Sequence, residues 1–363
     1  VANPKTEKVC KIFSEVLAVE PVDLNDNFFS LGGDSRKAVQ LINRVIQEFK
    51  ISLPMELFFQ TPSPQGLCDI LSGKNIAIDR IVVRMARGRN YAPVFLVHPL
   101  DGYVSPYAHL AMILGVAGHP VYGFQATGLK SLSSETIESI AEKYVQELKT
   151  IFPRGPYIVL GWSLGGIIAY EMTKQLECMG EREVFLVILD TPPSAPSEPE
   201  SEPRLIQLLD SFDWHGIDRD ALLRMNEDEA FIHALEEAKS QNIVPQSLGL
   251  ELFKHMADIV VNLDRALSRH RTSGKIKSNI NLYVSSEPMP PPYNGTLVDP
   301  AAWNDRTEGK VNVMKLPGNH LTLVTYPNVI ILGEMLTEFL RNSKLASDQP
   351  YANGLLGGGR TNE

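Results

Sequence analysis

The pattern of apolar residues predicts a small all-α four-helix bundle, followed by an α/β domain with a mostly parallel sheet and a helical insertion. Three observations carry that expectation. Apolar residues recur at helical spacing through residues 1–75. Over residues 81–342, short β-rich runs alternate with longer helical ones, the rhythm of a parallel sheet covered on both faces. Between Asp190 and Asn279 the strand signal stops and only helical segments follow, as an insertion over the sheet would require.

In the bundle, Val9, Ile12, Phe13, Val16 and Leu17 form one apolar stripe, and Ala38, Val39, Ile42, Val45, Ile46 and Phe49 form a second. A polar stretch through Asp23–Asn27 separates them. Pro54 suits the first turn of a short helix, and Pro64 opens another that Gly73 can end. A linker at 76–80 follows. Strands are predicted at 93–98, 121–125, 156–161, 184–190, 280–285 and 311–316, and amphipathic helices at 133–151, 164–179 and 326–341. The insertion, about 191–278, opens with a Pro/Ser/Glu-rich run from Pro192 to Pro203, and insertions of this kind often act as lids. The Gly/Asn-rich end, 343–363, reads as a disordered tail.

At 363 residues the chain has room for about two domains. Its net charge of -9 and lack of a basic patch argue against a nucleic-acid partner. Cys10, Cys68 and Cys178 are odd in number and widely spaced, which suits reduced thiols and a cytoplasmic location rather than a metal site or disulfide framework. No apolar run is long enough to span a membrane and no leader-like stretch opens the chain. The start at Val1 suggests processing or excision from something longer. Ser343-Lys344-Leu345 is internal and so cannot act as a C-terminal address.

Phe28-Phe29-Ser30-Leu31-Gly32-Gly33-Asp34-Ser35 lies where the polar loop meets the second helix. On position alone Ser35 is an ordinary helix cap, but a helix N-terminus also favours a phosphodiester, because free amides and the helix dipole face it. The motif and the helical context resemble the carrier domain of non-ribosomal peptide synthetases. The resemblance implies 4'-phosphopantetheine esterified to Ser35, with a phosphopantetheinyl transferase and coenzyme A as its source and upstream synthetase modules as partners.

The buried run Tyr157-Ile158-Val159-Leu160 leads into Gly161-Trp162-Ser163-Leu164-Gly165-Gly166, and an apolar helix follows. That is a G-x-S-x-G nucleophile elbow in its strand–turn–helix setting, with glycines where the sharp turn leaves no room for side chains. The α/β-hydrolase fold is therefore expected, with Ser163 as nucleophile. A serine hydroxyl needs a base, and on this fold the chain order is serine, acid, histidine. That order excludes His98, His109 and His119. His215, His233, His255 and His270 fall in the insertion, where solvated or packing roles suit them better. His320, on the loop between the last strand and the last helix, remains.

Two acids stand at suitable strand ends, Asp190 after the run Val184–Leu189 and Glu287 after Ile280–Ser285. From about Ile81 to Arg341 the chain resembles peptide-synthetase thioesterases, and that resemblance favours Asp190. A tetrahedral oxyanion also needs donors. The Leu164 N–H is one by its place after the nucleophile. The resemblance, through His98-Pro99-Leu100-Asp101-Gly102, assigns the other to Leu100 and leaves His98 structural.

Together these readings imply a terminal carrier and a chain-releasing serine thioesterase. A peptidyl thioester passes from the carrier to Ser163 and leaves by hydrolysis or macrocyclisation. A general esterase fused to a bundle would not need the tethered thiol, and a purely binding module would not need Ser163 and His320.

Overall fold

The structure, a computed structural model, describes residues 4–26, 28–33, 35–49, 58, 62–72, 81–88, 91–129, 132–193, 202–212, 214, 216–241, 243–244, 248–289 and 297–343. The helix expected at Pro54, the linker 76–80 and all but Ser343 of the expected tail lie outside the described residues.

The front of the chain forms α1 (Pro4–Leu17), a 3-10 turn (Phe28–Leu31), α2 (Ser35–Phe49) and α3 (Pro64–Leu71). The predicted α1 stripe is buried along its whole length. It packs on Ala38, Leu41, Ile42 and Val45 of α2 and on Leu67 and Ile70 of α3. Phe13, Phe28 and Phe58 meet edge-to-face at its centre, with centroids 5.2–6.1 Å apart. Ser63 caps α3 by accepting the Gly66 N–H at 3.1 Å, and Pro64 fills the first helical position, where no N–H is needed.

The second part is a seven-stranded sheet: β1 (Val82–Ala86), β2 (Val94–Val97), β3 (Val121–Phe124), β4 (Tyr157–Trp162), β5 (Val184–Leu189), β6 (Ile280–Ser285) and β7 (Val311–Leu316), in the order β1-β3-β2-β4-β5-β6-β7. Among the described residues only the β1–β3 pair is antiparallel. All four residues of β2 and all six of β4 are buried, as strands covered on both faces must be.

One face carries α5 (Ile137–Ile151) and α6 (Leu164–Cys178), packed on Phe95, Val97, Val159 and Ile188. The other carries α4 (Ala108–Val116) and α11 (Asn328–Asn342), packed on Leu96, Leu160 and Val187. The expected helix at 133 starts later, at Ile137, because Thr136 and Ser139 form a reciprocal capping box there.

Between β5 and β6 lie α7 (Arg204–Ser211), α8 (Arg219–Arg224), α9 (Glu227–Ser240) and α10 (Leu250–Arg269), with an apolar cluster of their own. Helix α10 joins insertion to core: Phe253, Ala257 and Val260 face the other inserted helices, while Ile259, Leu263 and Ala266 face the sheet domain.

Strand β1 and helix α4 have no counterpart among the predicted strands and α-helices. Strand β1 is a short edge strand whose register slips between Arg84 and Ala86, so its alternation is broken. Helix α4, AHLAMILGV, is apolar on nearly every side and shows no polar stripe to mark its period.

Candidate active site

Strand β4 ends at Trp162 and α6 begins at Leu164, leaving Ser163 alone in the turn at φ 56°, ψ -131°. That conformation is strained for a side chain with a Cβ, and it lifts the hydroxyl off the sheet edge. Two glycines make it possible. A Cβ on Gly161 would stand 1.9 Å from the Gly165 carbonyl oxygen, and one on Gly165 would stand 2.3 Å from the Val97 carbonyl oxygen. The Thr191 hydroxyl closes the turn from the other side, donating to the Ser163 carbonyl at 2.9 Å.

Asp190 directly follows β5, also at positive φ (46°), and is buried with 3% exposure. Its N–H donates to the Tyr283 carbonyl at 2.7 Å, and its Oδ1 accepts the Ser285 N–H at 2.8 Å. Its Oδ2 lies 3.0 Å from His320 Nδ1. Burial pushes this carboxyl up, but the hydrogen bonds from His320 and Ser285 outweigh it and hold the group below the usual carboxylate range. An ionised Asp190 can only accept, so the shared proton sits on Nδ1 and Nε2 is the ring nitrogen turned away from the carboxylate.

His320 sits on the β7–α11 loop. Its carbonyl accepts the Trp162 Nε1–H at 3.0 Å, and its ring tilts against the Trp162 indole with centroids 5.4 Å apart. Asn319 Oδ1 accepts the N–H groups of Leu321 and Thr322, both at 3.1 Å, which shapes the turn that carries the imidazole. Among the described residues, His320 Nε2 and the Ser163 hydroxyl have no hydrogen-bond partner. Catalytic bonds of this type commonly form only once substrate is bound. Glu287, the alternative acid, is exposed; its N–H donates to the Gly318 carbonyl at 3.0 Å and its side chain makes no bond to His320.

Leu164, as the first residue of α6, presents its N–H in the unpaired first turn of a helix. Leu100 lies in the turn after β2, where the Gly102 N–H donates to the Pro99 carbonyl at 3.1 Å. The absence of a Gly165 side chain lets α6 approach the carbonyls of Val97 and His98, just ahead of the turn that carries Leu100. His98 is fully buried between Tyr144 OH (2.8 Å) and the Pro99 carbonyl (2.6 Å). Burial pushes its pKa down to about 4, only partly offset by the carbonyl, so it is a neutral packing group. His233 and His255 are exposed on the insertion, His270 pairs with Glu138, and His215 lies outside the described residues.

Two supports had no separate signal in the sequence. Tyr107 OH donates to the Val97 carbonyl at 2.8 Å and accepts the Trp162 N–H at 2.7 Å, tying the ends of β2 and β4 together directly beneath the elbow. Trp162, at the first variable position of the G-x-S-x-G string, anchors the histidine loop. Only a residue distant in the chain explains either contact.

Ser35 is the first residue of α2, preceded by Gly32 at φ +87° and by Gly33, whose N–H donates to the Phe28 carbonyl at 3.0 Å. A glycine turn running into a helix N-terminus suits a phosphodiester at Ser35, since the free first-turn amides face it. Among the described residues no group of three or more His, Cys, Asp or Glu could hold a metal ion, and no helix is long and apolar enough to cross a membrane.

Residues 92–338 match the family described as thioesterase domain, and residues 7–71 match the phosphopantetheine attachment site family. A dimodular nonribosomal peptide synthase of Bacillus subtilis is 29% identical over 341 residues, covering 92% of this chain and 14% of the relative. Indigoidine synthase of Dickeya dadantii is 34% identical over 201 residues, covering 54% of this chain and 13% of the relative. The chain thus spans a small part of the relatives it matches. Among solved structures, a four-domain nonribosomal peptide synthetase bound to AMP and glycine superposes with TM-score 0.65 at 26% identity, covering 93% of this chain and 26% of that one. The thioesterase domain that cyclises the lipopeptide antibiotic surfactin superposes with TM-score 0.50 at 18% identity, covering 72% of this chain and 96% of that one, a likeness of fold.

Proposed function

Because the chain belongs to the thioesterase-domain family and carries a phosphopantetheine-attachment domain ahead of it, we propose that Ser35 holds an acyl chain and Ser163 removes it. The observation that carries this reading is the Asp190–His320 contact at 3.0 Å on a loop tied by Trp162 Nε1 to the elbow, where Ser163 is held at φ 56°. The attached 4'-phosphopantetheine supplies a thiol on which the acyl group is carried as a thioester.

This reading gives each group a role. Asp190 fixes the imidazole with Nδ1 protonated and stabilises its cation. His320 Nε2 takes the Ser163 proton as Oγ attacks the thioester carbonyl, and the backbone N–H groups of Leu164 and Leu100 meet the developing oxyanion. Collapse of the tetrahedral intermediate breaks the C–S bond, and His320 returns its proton to the leaving thiolate. The acyl group is then on Ser163. His320 next deprotonates the second nucleophile, which attacks the ester carbonyl; the bond to Ser163 Oγ breaks and His320 returns the proton to that oxygen. Water gives the free acid; an amine or hydroxyl of the same chain gives a macrolactam or macrolactone. The helices α7–α10 cover the site as a lid, and how well they exclude water decides between these outcomes.

The division of labour sets a carrier at 1–75, a linker at 76–80 and a thioesterase at 81–342 with its lid at about 191–278. A phosphopantetheinyl transferase loads Ser35 from coenzyme A, and upstream synthetase modules deliver the peptidyl chain. Trapping tests this reading: with a thioester substrate, peptide mass spectrometry is expected to find the acyl adduct on Ser163. An adduct on another residue, or turnover with no adduct in a rapid quench, overturns it.

A further inference from the structure

Val97 and Trp162 end neighbouring parallel strands, and the bond expected between them runs through a side chain. The His98 N–H donates to the Phe124 carbonyl of β3 at 3.2 Å, and the Ser163 N–H to the Leu189 carbonyl of β5 at 3.4 Å. Backbone groups alternate in direction along a strand, so Val97 and Trp162 turn theirs towards each other. Val97 stands opposite Gly161 in the β2–β4 register, so the next rung would take the Trp162 N–H directly to the Val97 carbonyl. Instead the Tyr107 hydroxyl stands between them, accepting that N–H at 2.7 Å and donating to that carbonyl at 2.8 Å.

The hydroxyl is held firmly. Tyr107 is fully buried in the apolar cluster that contains Leu96, Leu160 and Trp162. Its N–H donates to the Val104 carbonyl at 3.0 Å in the 3-10 turn that leads into α4. Burial pushes the phenol well above its ordinary range, against the pull of the Trp162 amide, so it keeps the one proton that it donates. A direct rung is about 2.9 Å across. With a hydroxyl in it, the two strand ends stand further apart.

Those ends lead straight into the oxyanion donors. Leu164 lies two residues past Trp162, and Leu100 three past Val97. The same Val97 carbonyl is the surface on which the first turn of α6 rests, since a Cβ on Gly165 would stand 2.3 Å from its oxygen. Oxyanion donors work only within about 2.7–3.1 Å of the developing charge, so the spacing of the two turns matters at the scale of tenths of an ångström. We propose that Tyr107 is a positioning residue for acyl transfer: its hydroxyl, inserted as the last rung between β2 and β4, sets the spacing of the turns that present Leu164 and Leu100 to the oxyanion. The inference rests on the acyl-transfer reading above and names the group that keeps its oxyanion site open.

Tyr107→Phe keeps the ring and removes the hydroxyl, so the strand ends either close into a direct rung or lose their partners. On a small acyl thioester, kcat is expected to fall by about 30-fold to 100-fold with KM within about twofold. Affinity for an alkyl boronic acid, which forms a tetrahedral adduct on Ser163, is expected to fall by a similar factor. Binding of a non-hydrolysable acyl amide to the Ser163→Ala chain is expected to be the same with and without Tyr107→Phe. An unchanged kcat, a loss confined to KM, or equal losses for boronate and amide overturns the inference, because a merely loosened fold weakens both ligands alike. If Tyr107→Phe does not fold, a crystal structure of the parent's boronate adduct decides. A Tyr107 hydroxyl bridging Trp162 and Val97, with the adduct oxygen within hydrogen-bond reach of both donor N–H groups, sustains the assignment. A direct Trp162–Val97 bond, a hydroxyl bonded elsewhere, or an adduct oxygen out of reach of either N–H overturns it. Failure of the acyl-transfer reading shows in the parent, as no acyl-Ser163 in the trap, whereas failure of this inference shows against an active parent.

Discussion

Asp190 and His320, 130 residues apart in the chain, meet through Oδ2 and Nδ1 at 3.0 Å, while the other oxygen of Asp190 is tied to the Ser285 amide. The carboxylate therefore cannot swing away from the imidazole without losing a second bond. Asp190→Asn keeps the shape but removes the charge and can present the wrong hydrogen-bonding partner to Nδ1. The expected result is a loss of kcat of about a thousandfold to ten-thousandfold, while Glu287→Gln stays within about twofold of the parent. Steady-state kinetics on a small acyl thioester separates the two.

Trp162 is bonded to the loop that carries His320 and is expected to act on the reaction through it. Trp162→Phe removes the Nε1 donor to the His320 carbonyl but keeps the ring against the imidazole. A fall of about fivefold to tenfold in kcat with little change in KM is expected, because the histidine is mispositioned and the acyl pocket is intact. A change confined to KM would assign Trp162 to substrate contact instead.

Gly161 leaves no room for substitution, since the atom that a Cβ would strike is backbone, the Gly165 carbonyl oxygen at 1.9 Å. Gly161→Ala is expected to cost about 2–3 kcal/mol of stability and to abolish acylation of Ser163, because the elbow must open to accept the methyl group. Denaturant titration and acyl trapping read the two effects. A variant of parental stability and activity would contradict the described turn.

Much of this site is legible in the sequence for local reasons. The elbow is a contiguous string with its own strand and helix, and His320 follows from chain order once the fold is recognised. The stripe Val9–Leu17 is buried as its helical spacing predicts. The choice between Asp190 and Glu287 is different: both stand just past a strand, and only the backbone at Asp190, turned to φ 46°, directs a carboxylate to the histidine loop. Residue identity carries no trace of that turn. Tyr107 and helix α4 escape for a related reason, one because its two partners are remote, the other because a helix apolar all round has no periodic signature. Strand β1 is short and irregular, and its pairing with β3 is non-local.

The buried, neutral His98 has a consequence for acid stability. Its folded pKa, about 4, lies below the ordinary value near 6.5, because burial penalises the cation. Below pH 6.5 the unfolded chain therefore takes up a proton that the folded chain refuses. Stability falls as pH drops from about 6.5 towards about 4, by on the order of 3 kcal/mol in all from this one group. Urea titrations at about pH 7.5 and about pH 4.5 are expected to show a smaller pH-dependent loss in His98→Asn than in the parent. Equal losses would contradict the assignment of a neutral, buried ring.

A single intact-mass time course tests the two serines most directly. The parent chain, Ser35→Ala and Ser163→Ala are each loaded by a phosphopantetheinyl transferase with an acylated coenzyme A, and the acyl mass on the protein is followed. The prediction is no loading on Ser35→Ala, loading that persists on Ser163→Ala, and loading followed by discharge on the parent. Loading of Ser35→Ala, or discharge of Ser163→Ala at the parental rate, would contradict it.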